Sequence, residues 1–507
     1  MSHSSDSDDR GPDFAAGIPE AAIPPEGVYG GFVGDVPVLL ARVDGEITAI
    51  DGACSHYSGP LQRGLRVGNM INCPLHHACF DLRTGQALKA PALTPLNRWK
   101  VEHAGGTIYV RSKLGPAWPL PSDPTIAPKT IVIVGGGAAG FAAAQRLREL
   151  GHQGEITLLS ADIDAPYDRP NVSKDYLAGQ ADPSWMPLKE ASYYETNRIE
   201  LRTGTRVEAI DTASRQITLQ GDEILNYDAL LLATGAEPNR LTAPGFDRAN
   251  VHVLRTLADC EQLTAQVTGA TKAVVIGSSF IGLEVAASLR TRGLAVEVVG
   301  SEELPLASKL GPSIGALVKS IHEEHGVRLH LGRHAVGFDG TRVTLDNGVT
   351  VAADLVVLGI GVKPRLELAQ RAGLAIDRGV LVDAQMRSSD PVIFAAGDIA
   401  RYPSPVGGPP IRVEHWVLAE RQGQIAAEAM LGGKSVLKEP PYFWSVHYDL
   451  SIRFVGHAES WDRIEEIGSV AARDAEVRYF KGSRLVAVAT INRDLASLEA
   501  AEALSEN

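Results

Sequence analysis

The sequence predicts a multidomain protein in which an all-β domain precedes parallel α/β domains. Two observations support this fold class. Residues 18–111 alternate short apolar runs with turns, as in the hairpin pattern of residues 36–50. From residue 130 onward, β-branched strands run into glycine turns and then into helices, a pattern typical of parallel α/β architecture. A length of 507 residues leaves room for three or more domains.

Composition excludes several classes of protein. The first residues are rich in Ser and Asp, so we expect a disordered tail over residues 1–17 rather than a signal or transit peptide. A net charge of -13 argues against nucleic acid or an anionic membrane as a partner. No apolar run of about 18 residues occurs, so we expect no membrane span. The four cysteines indicate no disulfide framework, which favours a reducing, cytoplasmic compartment.

Two pairs of metal-ligand residues lie within the predicted all-β domain, residues 18–112. Cys54 and His56 form a Cys-x-His pair, and Cys73 and His76 form a Cys-x2-His pair. This is the ligand set of a Rieske 2Fe-2S cluster, in which two thiolates hold one iron and two imidazoles hold the other. A zinc site with two Cys and two His would use the same atoms, but its spacings pair Cys with Cys and His with His. The spacing therefore favours the iron-sulfur cluster.

A proline-rich linker is predicted after this domain. Residues 113–128 contain prolines at positions 116, 119, 121, 124 and 128, a composition typical of a semi-stiff spacer. Short strands with turns precede this stretch and strand-helix units follow it, which makes it a domain boundary.

A dinucleotide-binding fingerprint follows the linker. The β-branched segment 130–134 leads into Gly135, Gly137 and Gly140 and then into an alanine-rich helix. In this context the first glycine makes the tight turn, the second lets the backbone approach a pyrophosphate, and the third lets the helix pack on the strand. The acid for the ribose hydroxyls would be Asp162, which lies one or two positions later than usual, so a solvated loop aspartate is an open alternative.

A second unit of the same kind follows about 140 residues later. Gly277, Ser279 and Gly282 stand in the three glycine positions, with a serine in the middle one. The next strand ends at Gly300, and the first acid after it is Glu302. No Arg or Lys lies near this strand end in the sequence to meet a 2'-phosphate, which favours NADH over NADPH. The alternative that this glutamate is only surface charge stays open.

Phrases scattered over residues 130–435 resemble those of FAD-containing pyridine-nucleotide reductases of the ferredoxin-reductase and apoptosis-inducing-factor type. These phrases are Pro-Tyr-Asp-Arg-Pro at 166–170, Leu-Ala-Thr-Gly-Ala at 232–236, Gly-Ile-Gly-Val-Lys-Pro at 359–364, Ile-Phe-Ala-Ala-Gly-Asp-Ile at 393–399 and Arg-Val-Glu-His-Trp at 412–416. Fused to a Rieske domain, such a reductase resembles the Rieske-containing apoptosis-inducing-factor-like flavoproteins. The resemblance covers nearly all of the chain from about residue 18.

The resemblance implies a domain layout. An FAD-binding domain would comprise residues 129–247 and 374–435, and an NAD(P)-binding domain would be inserted at residues 248–373. Both would be α/β domains of the Rossmann-like type. Residues 436–507 would form a small α+β C-terminal reductase domain, in which an aromatic residue, Trp444, lies near the flavin.

The resemblance also implies roles for individual residues. Lys174 resembles the lysine near flavin N5, and Glu284 resembles the acid on the nicotinamide side that pairs with it. A cation there would stabilise the anionic reduced flavin. Asp398 resembles the aspartate that holds the ribityl chain, whereas Glu284 could instead be a helix acid and Trp416 could be core packing. The other cofactor-binding positions implied are Arg169, Ala233, Thr234, Gly235, Gly361, Gly397, Glu414, His415 and Trp416.

Together these features predict a flavoprotein NAD(P)H oxidoreductase. NADH would reduce FAD, and the cluster would pass electrons singly to an acceptor such as a ferredoxin, a cytochrome or an oxygenase component. The flavin half has no Cys-x-x-Cys pair, which argues against a disulfide reductase. Two alternatives stay open: an NADH-dependent reductase of a small molecule or quinone, and a redox-signalling protein like apoptosis-inducing factor. The sequence is compatible with a monomer or a homodimer.

Residues around the ligand pairs predict a cluster of low potential. High-potential respiratory Rieske domains carry a disulfide between the two loops, and a Ser and a Tyr that donate hydrogen bonds to sulfur, which raises the potential. Here the bridging positions are Gly59 and Leu75, and the hydroxyl positions are Ala78 and Phe80. His77 stands where Rieske domains usually have glycine, and we expect it to be exposed.

Overall fold

The computed structural model describes residues 10–117 and 128–505 of the chain. These residues fall into two compact units. The first contains the N-terminal domain, residues 149–151 and the last helix, which begins at Asp494, and the second contains the remainder. The order of an all-β domain, two α/β domains and a C-terminal domain confirms the predicted fold class.

The tail predicted over residues 1–17 and the linker predicted over 113–128 are only partly described. Residues 118–127 of the linker lie outside the described residues, and the strand Thr107–Gly115 extends into its beginning. In the tail, Phe14 is described and is fully buried. Both assignments stay predictions.

The N-terminal domain contains two antiparallel sheets. The six-stranded sheet has the order Ile18–Pro19, Thr107–Gly115, Arg98–Ala104, Glu46–Asp51, Val36–Val43 and Tyr29–Val33. The four-stranded sheet has the order Leu65–Val67, Met70–Asn72, Cys79–Asp81 and Ala87–Lys89. Short 3-10 helices span Glu20–Ala22 and Leu61–Arg63. The first ligand pair follows the strand that ends at Asp51, and the second lies in the turn that ends at Cys79.

The first α/β domain is built on a five-stranded parallel sheet. Its strands lie in the order Ile199–Arg202, Glu155–Leu159, Thr130–Val134, Ala229–Leu232 and Ile393–Ala395. The central strands are buried on both faces, because helices cover a parallel sheet on both sides. An antiparallel sheet of Val207–Asp211, Gln216–Leu219 and Ile224–Asn226 adjoins it in sequence. The helices are Ala138–Glu149, Asp175–Ala178, Ala191–Thr196 and Trp416–Met430, with 3-10 turns at Arg169–Ser173, Pro183–Trp185 and Gly397–Ile399.

The second α/β domain repeats this plan. Its parallel sheet has the order Val251–Val253, Leu355–Leu358, Lys272–Ile276, Ala295–Gly300 and Arg328–Leu331. Its antiparallel sheet consists of Ala335–Phe338, Arg342–Leu345 and Thr350–Ala352. The helices are Leu257–Val267, Phe280–Thr291, Ala307–Glu324 and Glu367–Arg371. Two small sheets, Ala236–Pro238 with Val362–Pro364 and Val380–Leu381 with Ala400–Arg401, complete the α/β region.

The C-terminal domain is a five-stranded antiparallel sheet followed by a helix. The strand order is Tyr442–His447, Leu450–Gly456, Arg484–Ile491, Asp474–Lys481 and Arg463–Ser469. The sheet packs against the helix Ala307–Glu324, and Ile314, Val318 and Ile321 of that helix share one core with Ile452. The final helix, Asp494–Ser505, belongs to the first compact unit. No helix among the described residues is long and apolar enough to cross a membrane.

Candidate functional site

The two metal-ligand loops have the same backbone geometry. In the first, the N–H of Cys54 donates to the carbonyl of Gly59 at 2.9 Å. In the second, the N–H of Cys73 donates to the carbonyl of Ala78 at 2.7 Å. Each loop therefore closes five residues after its cysteine, and this fixes the direction of the cysteine side chain.

A left-handed residue makes the turn in each loop. Ser58 has φ 55 and His77 has φ 63, and each donates its N–H to the carbonyl of the cysteine four residues earlier. A left-handed backbone explains why glycine is common at the position of His77. The His77 side chain is half-buried rather than exposed, which corrects our expectation, and its Nε2 lies 3.0 Å from Oγ of Ser497 on the last helix. The sequence separation of 420 residues hid this contact.

The four ligand side chains form two pairs. Nδ1 of His56 lies 3.2 Å from Nδ1 of His76, and the neighbouring Cys73 thiol raises the pKa of Cys54. Both cysteines are buried, and burial lowers the pKa of His56 to about 4, which keeps its imidazole neutral as a metal ligand must be. Two sulfur atoms together and two ring nitrogens together match a cluster of two irons better than a single ion.

Close packing between the loops supports the same conclusion. A Cβ atom on Gly59 would lie 2.7 Å from Sγ of Cys73 and 3.0 Å from Cγ of Leu75. Any side chain at this position would push the loops apart. None of the four cysteines, all of which are described, forms a disulfide.

The glycine turn of the first α/β domain cannot accept a side chain. Gly135 has φ 122, and a Cβ atom there would lie 2.0 Å from the carbonyl oxygen of Ala233. A Cβ atom on Gly140 would lie 1.9 Å from the carbonyl oxygen of Gly135, so the helix packs tightly on the turn. At Gly137 the nearest neighbour is a guanidinium nitrogen of Arg169, 3.9 Å away. This leaves space beside the backbone for a ligand.

The second α/β domain repeats this cradle. Cβ atoms on Gly277 and Gly282 would lie 2.2 Å and 2.1 Å from the carbonyl oxygens of Gly359 and Gly277. Ser279, in the middle position, donates its hydroxyl to the carbonyl of Gly359 at 3.0 Å. This hydrogen bond fixes the Ser279 side chain and directs its hydroxyl toward the protein backbone.

In the first α/β domain a serine lies at the end of the second strand and a glycine in the turn, and in the second domain the two residue types exchange places. In the first, Ser160 lies at the strand end, and a Cβ on Gly136 would lie 2.8 Å from its Oγ. In the second, Gly300 lies at the strand end, and a Cβ on it would lie 2.3 Å from Oγ of Ser278. The serine from the turn therefore occupies the space that a side chain at Gly300 would need.

The acids predicted to bind ribose have different surroundings. Asp162 is half-buried and accepts a hydrogen bond of 3.0 Å from the Tyr167 hydroxyl. Glu302 instead accepts hydrogen bonds from the backbone and side chain of Ser308 at the start of a helix. The N–H of Arg333 donates to the carbonyl of Gly300 at 2.9 Å, so an arginine does lie beside this strand end in space. The basis for excluding a 2'-phosphate is therefore weaker than the sequence suggested.

A cleft of about 1500 Å³ runs through the α/β region and the C-terminal domain. Most of the predicted site residues line it. Gly140, Gly277, Gly282 and Glu302 do not, since Gly140 and Gly282 pack a helix against its turn and Gly277 packs against the carbonyl of Gly359. Those that line it are Gly135, Gly137, Asp162, Arg169, Lys174, Ala233, Thr234, Gly235, Ser279, Glu284, Gly361, Gly397, Asp398, Glu414, His415, Trp416 and Trp444.

Two guanidinium groups lie close together at one end of the cleft. Arg169 donates to the carbonyl of Arg255 at 2.8 Å, and burial together with the charge of Arg255 lowers the pKa of Arg169. Arg255 in turn forms a salt bridge of 2.6 Å with Asp398. Two adjacent guanidinium groups beside a glycine backbone form an anion site. No local sequence pattern marks Arg255.

Buried polar atoms without a partner mark another part of the cleft. Among the described residues, Nδ1 of His415 and Nε2 of Gln422 are buried with no hydrogen-bond partner. Burial lowers the pKa of His415 to about 3. Oε1 of Gln422 accepts from the N–H of Gly397 at 2.7 Å, so the amide is oriented by the backbone. Such atoms are normally satisfied by a bound ligand or water, and FAD fits this donor set.

Lys174 and Glu284 form an ion pair in the cleft. Nζ of Lys174 lies 2.8 Å from Oε2 of Glu284, whose side chain is 3% exposed. The hydroxyls of Ser173 and Ser445 each donate to the same carboxylate at 2.7 Å. The pairing agrees with the role implied by resemblance, whereas Ser445 comes from the C-terminal domain and was missed.

An aromatic cluster lies beside this pair. The rings of Phe280 and Phe443 are 4.9 Å apart at 73°, and the rings of His415 and Phe443 are 4.5 Å apart at 48°. All three residues line the cleft. They supply an apolar wall in which a flat ring system can exclude water.

Family models match three segments of the chain. A model described as pyridine nucleotide-disulphide oxidoreductase matches residues 129–423. A Rieske 2Fe-2S domain model matches residues 18–100, and a reductase C-terminal model matches residues 442–506.

Known proteins match over most of this length. Apoptosis-inducing factor 3 of Homo sapiens is 30% identical over 487 residues, covering 92% of this chain and 80% of the human protein. Rhodocoxin reductase of Rhodococcus erythropolis is 37% identical over 369 residues, covering 72% of this chain and 86% of the relative. The reductase in a covalent putidaredoxin reductase-putidaredoxin complex superposes with a TM-score of 0.73 at 35% identity, covering 75% of this chain and 94% of that one.

Proposed function

Because the chain belongs to the pyridine nucleotide-disulphide oxidoreductase family and carries a Rieske domain, we propose that it passes electrons from NADH to a one-electron protein acceptor. FAD and then the cluster would be the intermediate carriers. The chain is a ferredoxin-reductase-like FAD- and NAD(H)-dependent oxidoreductase. The observation that most supports the route is that one chain contains both a cleft with a Lys-Glu pair and a paired thiol-imidazole site.

FAD would be held at the first glycine turn. Gly135 makes the turn, Gly137 leaves space beside the backbone for the diphosphate, and Arg169 and Arg255 supply positive charge beside it. Asp398, which is held by Arg255, would orient the ribityl chain. Bound FAD accepts two electrons from NADH and gives them up one at a time.

Lys174 and Glu284 would control charge at the reacting end of the cleft. Lys174 presents a cation that stabilises negative charge on a reduced ring. Glu284 holds Lys174 in place, and the two serine hydroxyls fix the carboxylate in turn. Phe280 and Phe443 close the site to water, which strengthens these interactions.

The N-terminal domain would hold the cluster with two kinds of ligand. Cys54 and Cys73 would bind one iron as thiolates, and His56 and His76 would bind the other through Nδ1. The ring of His56 stacks on Tyr57 at 4.0 Å, and Tyr57 is 41% exposed. The imidazole pair is therefore the side of the cluster closest to solvent, where an acceptor could dock.

The names of the relatives suggest the class of acceptor. Relatives of this chain work with ferredoxin partners, among them the reductase solved in a covalent complex with putidaredoxin. We therefore propose a ferredoxin or an oxygenase component as acceptor. A cytoplasmic location and a monomeric or homodimeric state remain part of the proposal, and the absence of disulfides among the four cysteines supports the former.

Anaerobic rapid mixing with NADH tests the proposed route. We expect the flavin absorbance to bleach first and the cluster spectrum to change afterwards, followed by steady turnover when a ferredoxin or cytochrome c is added. A cluster that stays oxidised while the flavin is reduced and turns over with a quinone would contradict the proposal and favour the small-molecule reductase.

A further inference from the structure

A buried chain of hydrogen bonds continues beyond the Lys-Glu pair. Oε1 of Glu284 accepts from Oγ of Ser445 at 2.7 Å, and that Oγ lies 3.2 Å from Nε2 of His447. Nδ1 of His447 lies 3.3 Å from Nε2 of His322. Ser445, His447 and His322 are each fully buried, so no solvent interrupts the chain. We call these three residues the polar relay.

Two secondary-structure elements position the relay. Ser445 and His447 are alternate residues of the strand Tyr442–His447, so they lie on the same face of the sheet. His322 lies in the last turn of the helix Ala307–Glu324, which packs on this sheet. The relay therefore leads from the cleft through the interface between the helix and the C-terminal sheet.

The hydrogen positions in the relay follow from the carboxylate. Glu284 is paired with Lys174 and accepts the only hydroxyl proton of Ser445. Oγ of Ser445 must then accept from Nε2–H of His447, whose Nδ1 is left to accept from Nε2–H of His322. All donors consequently point toward Glu284, and Nδ1 of His322 is a basic atom at the far end.

Burial keeps both imidazoles in this neutral form. Burial and the charge of His447 lower the pKa of His322 to about 2, and burial and the charge of Lys174 lower the pKa of His447 to about 3. Nδ1 of His322 is buried with no hydrogen-bond partner among the described residues. A buried basic nitrogen without a donor is costly unless it has a use or meets a water.

The outer end of the relay is close to solvent. The ring of Tyr448 lies 5.4 Å from that of His322 and stacks at 3.6 Å on the ring of His325, which is exposed. His325 and Tyr448 are the titratable groups facing this end, with Arg290 acting on Tyr448. Nδ1 of His322 has no hydrogen bond to this stacked pair, so a water molecule has to carry the proton over the last step.

We propose that Ser445, His447 and His322 form a proton relay that loads Glu284 from solvent when the bound flavin is reduced. One proton arrives at Nδ1 of His322, and Nε2–H of His322 moves to Nδ1 of His447. Nε2–H of His447 moves to Oγ of Ser445, whose hydroxyl proton moves to Oε1 of Glu284. The net change is the uptake of one proton by one carboxylate, and no electron moves along the relay.

Charge balance gives the relay its purpose. Two electrons from NADH add negative charge in a cleft that already contains the carboxylate of Glu284. Lys174 balances only one of these two negative charges, so reduction leaves one uncompensated charge in a buried site, and protonation of Glu284 removes it. FAD, NADH, a proton and the carboxylate give the anionic reduced flavin, NAD+ and the carboxylic acid. The proton returns to solvent by the reverse path when the electrons leave.

The inference rests on the proposed function, but its test is separate from turnover. The full-length protein loaded with FAD is mixed with NADH in weak buffer without an acceptor, while a pH-indicating dye and the flavin absorbance are followed together. Transfer from NADH to FAD consumes no proton by itself, and both the wild type and Glu284→Gln keep the cluster, so the difference in uptake between them belongs to Glu284. We expect the wild type to take up one proton more for each flavin bleached than Glu284→Gln does. An infrared band of a protonated carboxyl should appear in the wild type and be lost in Glu284→Gln.

Variants of Ser445 and His447 test the path of the proton, whereas Glu284→Gln tests the group that accepts it. Ser445→Ala and His447→Gln should take up the same amount of proton at least tenfold more slowly, about 1.4 kcal/mol in the barrier. Ser320→Ala is the matched control, because Ser320 lies on the same helix as His322, donates its hydroxyl to the carbonyl of Leu317 and is outside both the relay and the cleft lining, and it should keep the wild-type uptake rate. His447→Gln is close in size and retains a polar group, so a folded protein is expected.

The outcomes separate the two proposals. Bleaching of the flavin with no more proton uptake in the wild type than in Glu284→Gln would overturn the relay and leave the reductase function standing. Uptake at the wild-type rate in both His447→Gln and Ser445→Ala would overturn the path. A flavin that NADH does not bleach would overturn the proposed function, and the relay with it.

Discussion

The cluster domain and the flavin half build their sites in opposite ways. The four cluster ligands lie between residues 54 and 76, on two loops with matching backbone hydrogen bonds. The flavin cleft collects side chains from Gly135 to Trp444, and its central ion pair joins Lys174 to Glu284 across 110 positions. A short segment can specify a metal site, whereas a site for a large flexible cofactor depends on tertiary packing.

The two regions also differ in whether they are suited to transfer electrons alone or electrons together with protons. The cluster ligands are two thiols and two imidazoles held by backbone geometry, a set suited to exchange of one electron. The carboxylate of Glu284 in the cleft continues into the hydroxyl and imidazoles of the polar relay, a set suited to two electrons together with protons. A change in one region should therefore leave the chemistry of the other intact, and the variants of Gly135, Lys174 and Cys54 below test that independence.

Gly135→Val should have the largest effect. The new side chain would clash with the Ala233 carbonyl, 2.0 Å from the position of Cβ, and would be strained at φ 122. We expect purified protein without FAD but with the Rieske signal in electron paramagnetic resonance. Gly269→Ala, where a Cβ would have no neighbour within 4 Å, is the matched control and should retain FAD. Retention of FAD by Gly135→Val would show that the turn is not the binding site.

Lys174→Met should weaken the reductive step strongly. It leaves Glu284, which is 3% exposed, as a buried carboxylate without its cation. Removing one group that stabilises developing charge costs about a hundredfold to a thousandfold in rate, so we expect flavin reduction by NADH to slow at least about a hundredfold. Lys174→Arg keeps the charge and should recover part of the rate. The cluster potential, measured by redox titration, should be the same in all three proteins, and a shift in it would contradict the independence of the two regions.

Nucleotide preference should show a smaller effect. We expect kcat/KM for NADH to exceed that for NADPH by about tenfold or more, which corresponds to about 1.4 kcal/mol. Arg333 is hydrogen-bonded through its backbone to Gly300 at this strand end, so Arg333→Ala should lower the residual rate with NADPH and leave the rate with NADH. A tenfold preference for NADPH would mean that Arg333 outweighs Glu302.

The smallest of these effects is expected on the reduction potential of the cluster. With Gly59 and Leu75 at the bridging positions and Ala78 and Phe80 at the hydroxyl positions, we expect a value nearer to about -150 mV than to +300 mV. Ala78→Ser should raise it by about 60 mV if the added hydroxyl donates a hydrogen bond to sulfur of about 1.4 kcal/mol. A wild-type midpoint above about +150 mV would mean that another donor already acts on the cluster.

Much of the fold followed from local patterns. The alternation over residues 18–111 predicted the antiparallel domain, and the two strand-glycine-helix segments predicted two parallel sheets. The cluster ligands could be predicted because their chemistry and spacing are contained in one short segment. Lys174 and Glu284 were found by resemblance, and the structure places them 2.8 Å apart.

What the sequence missed depends on contacts between distant segments. Ser445 reaches Glu284 and His447 reaches His322 only because a strand of the C-terminal sheet packs beside two helices of the second α/β domain. Arg333 meets Gly300 through the end of an adjacent strand. No periodicity or spacing in one chain encodes such pairs, because each partner alone has an ordinary polar or basic side chain.

Removal of the cluster alone tests the central claim most directly. Cys54→Ser removes one thiolate ligand and leaves the cleft unchanged. In parallel with the wild type, the variant is loaded with FAD and mixed with NADH, and reduction of the flavin and of a ferredoxin are both followed. We expect the variant to lose the Rieske signal, to bleach its flavin at the wild-type rate and to lose reduction of the ferredoxin. Undiminished reduction of the ferredoxin by the variant would place the cluster outside the main electron path and contradict the account.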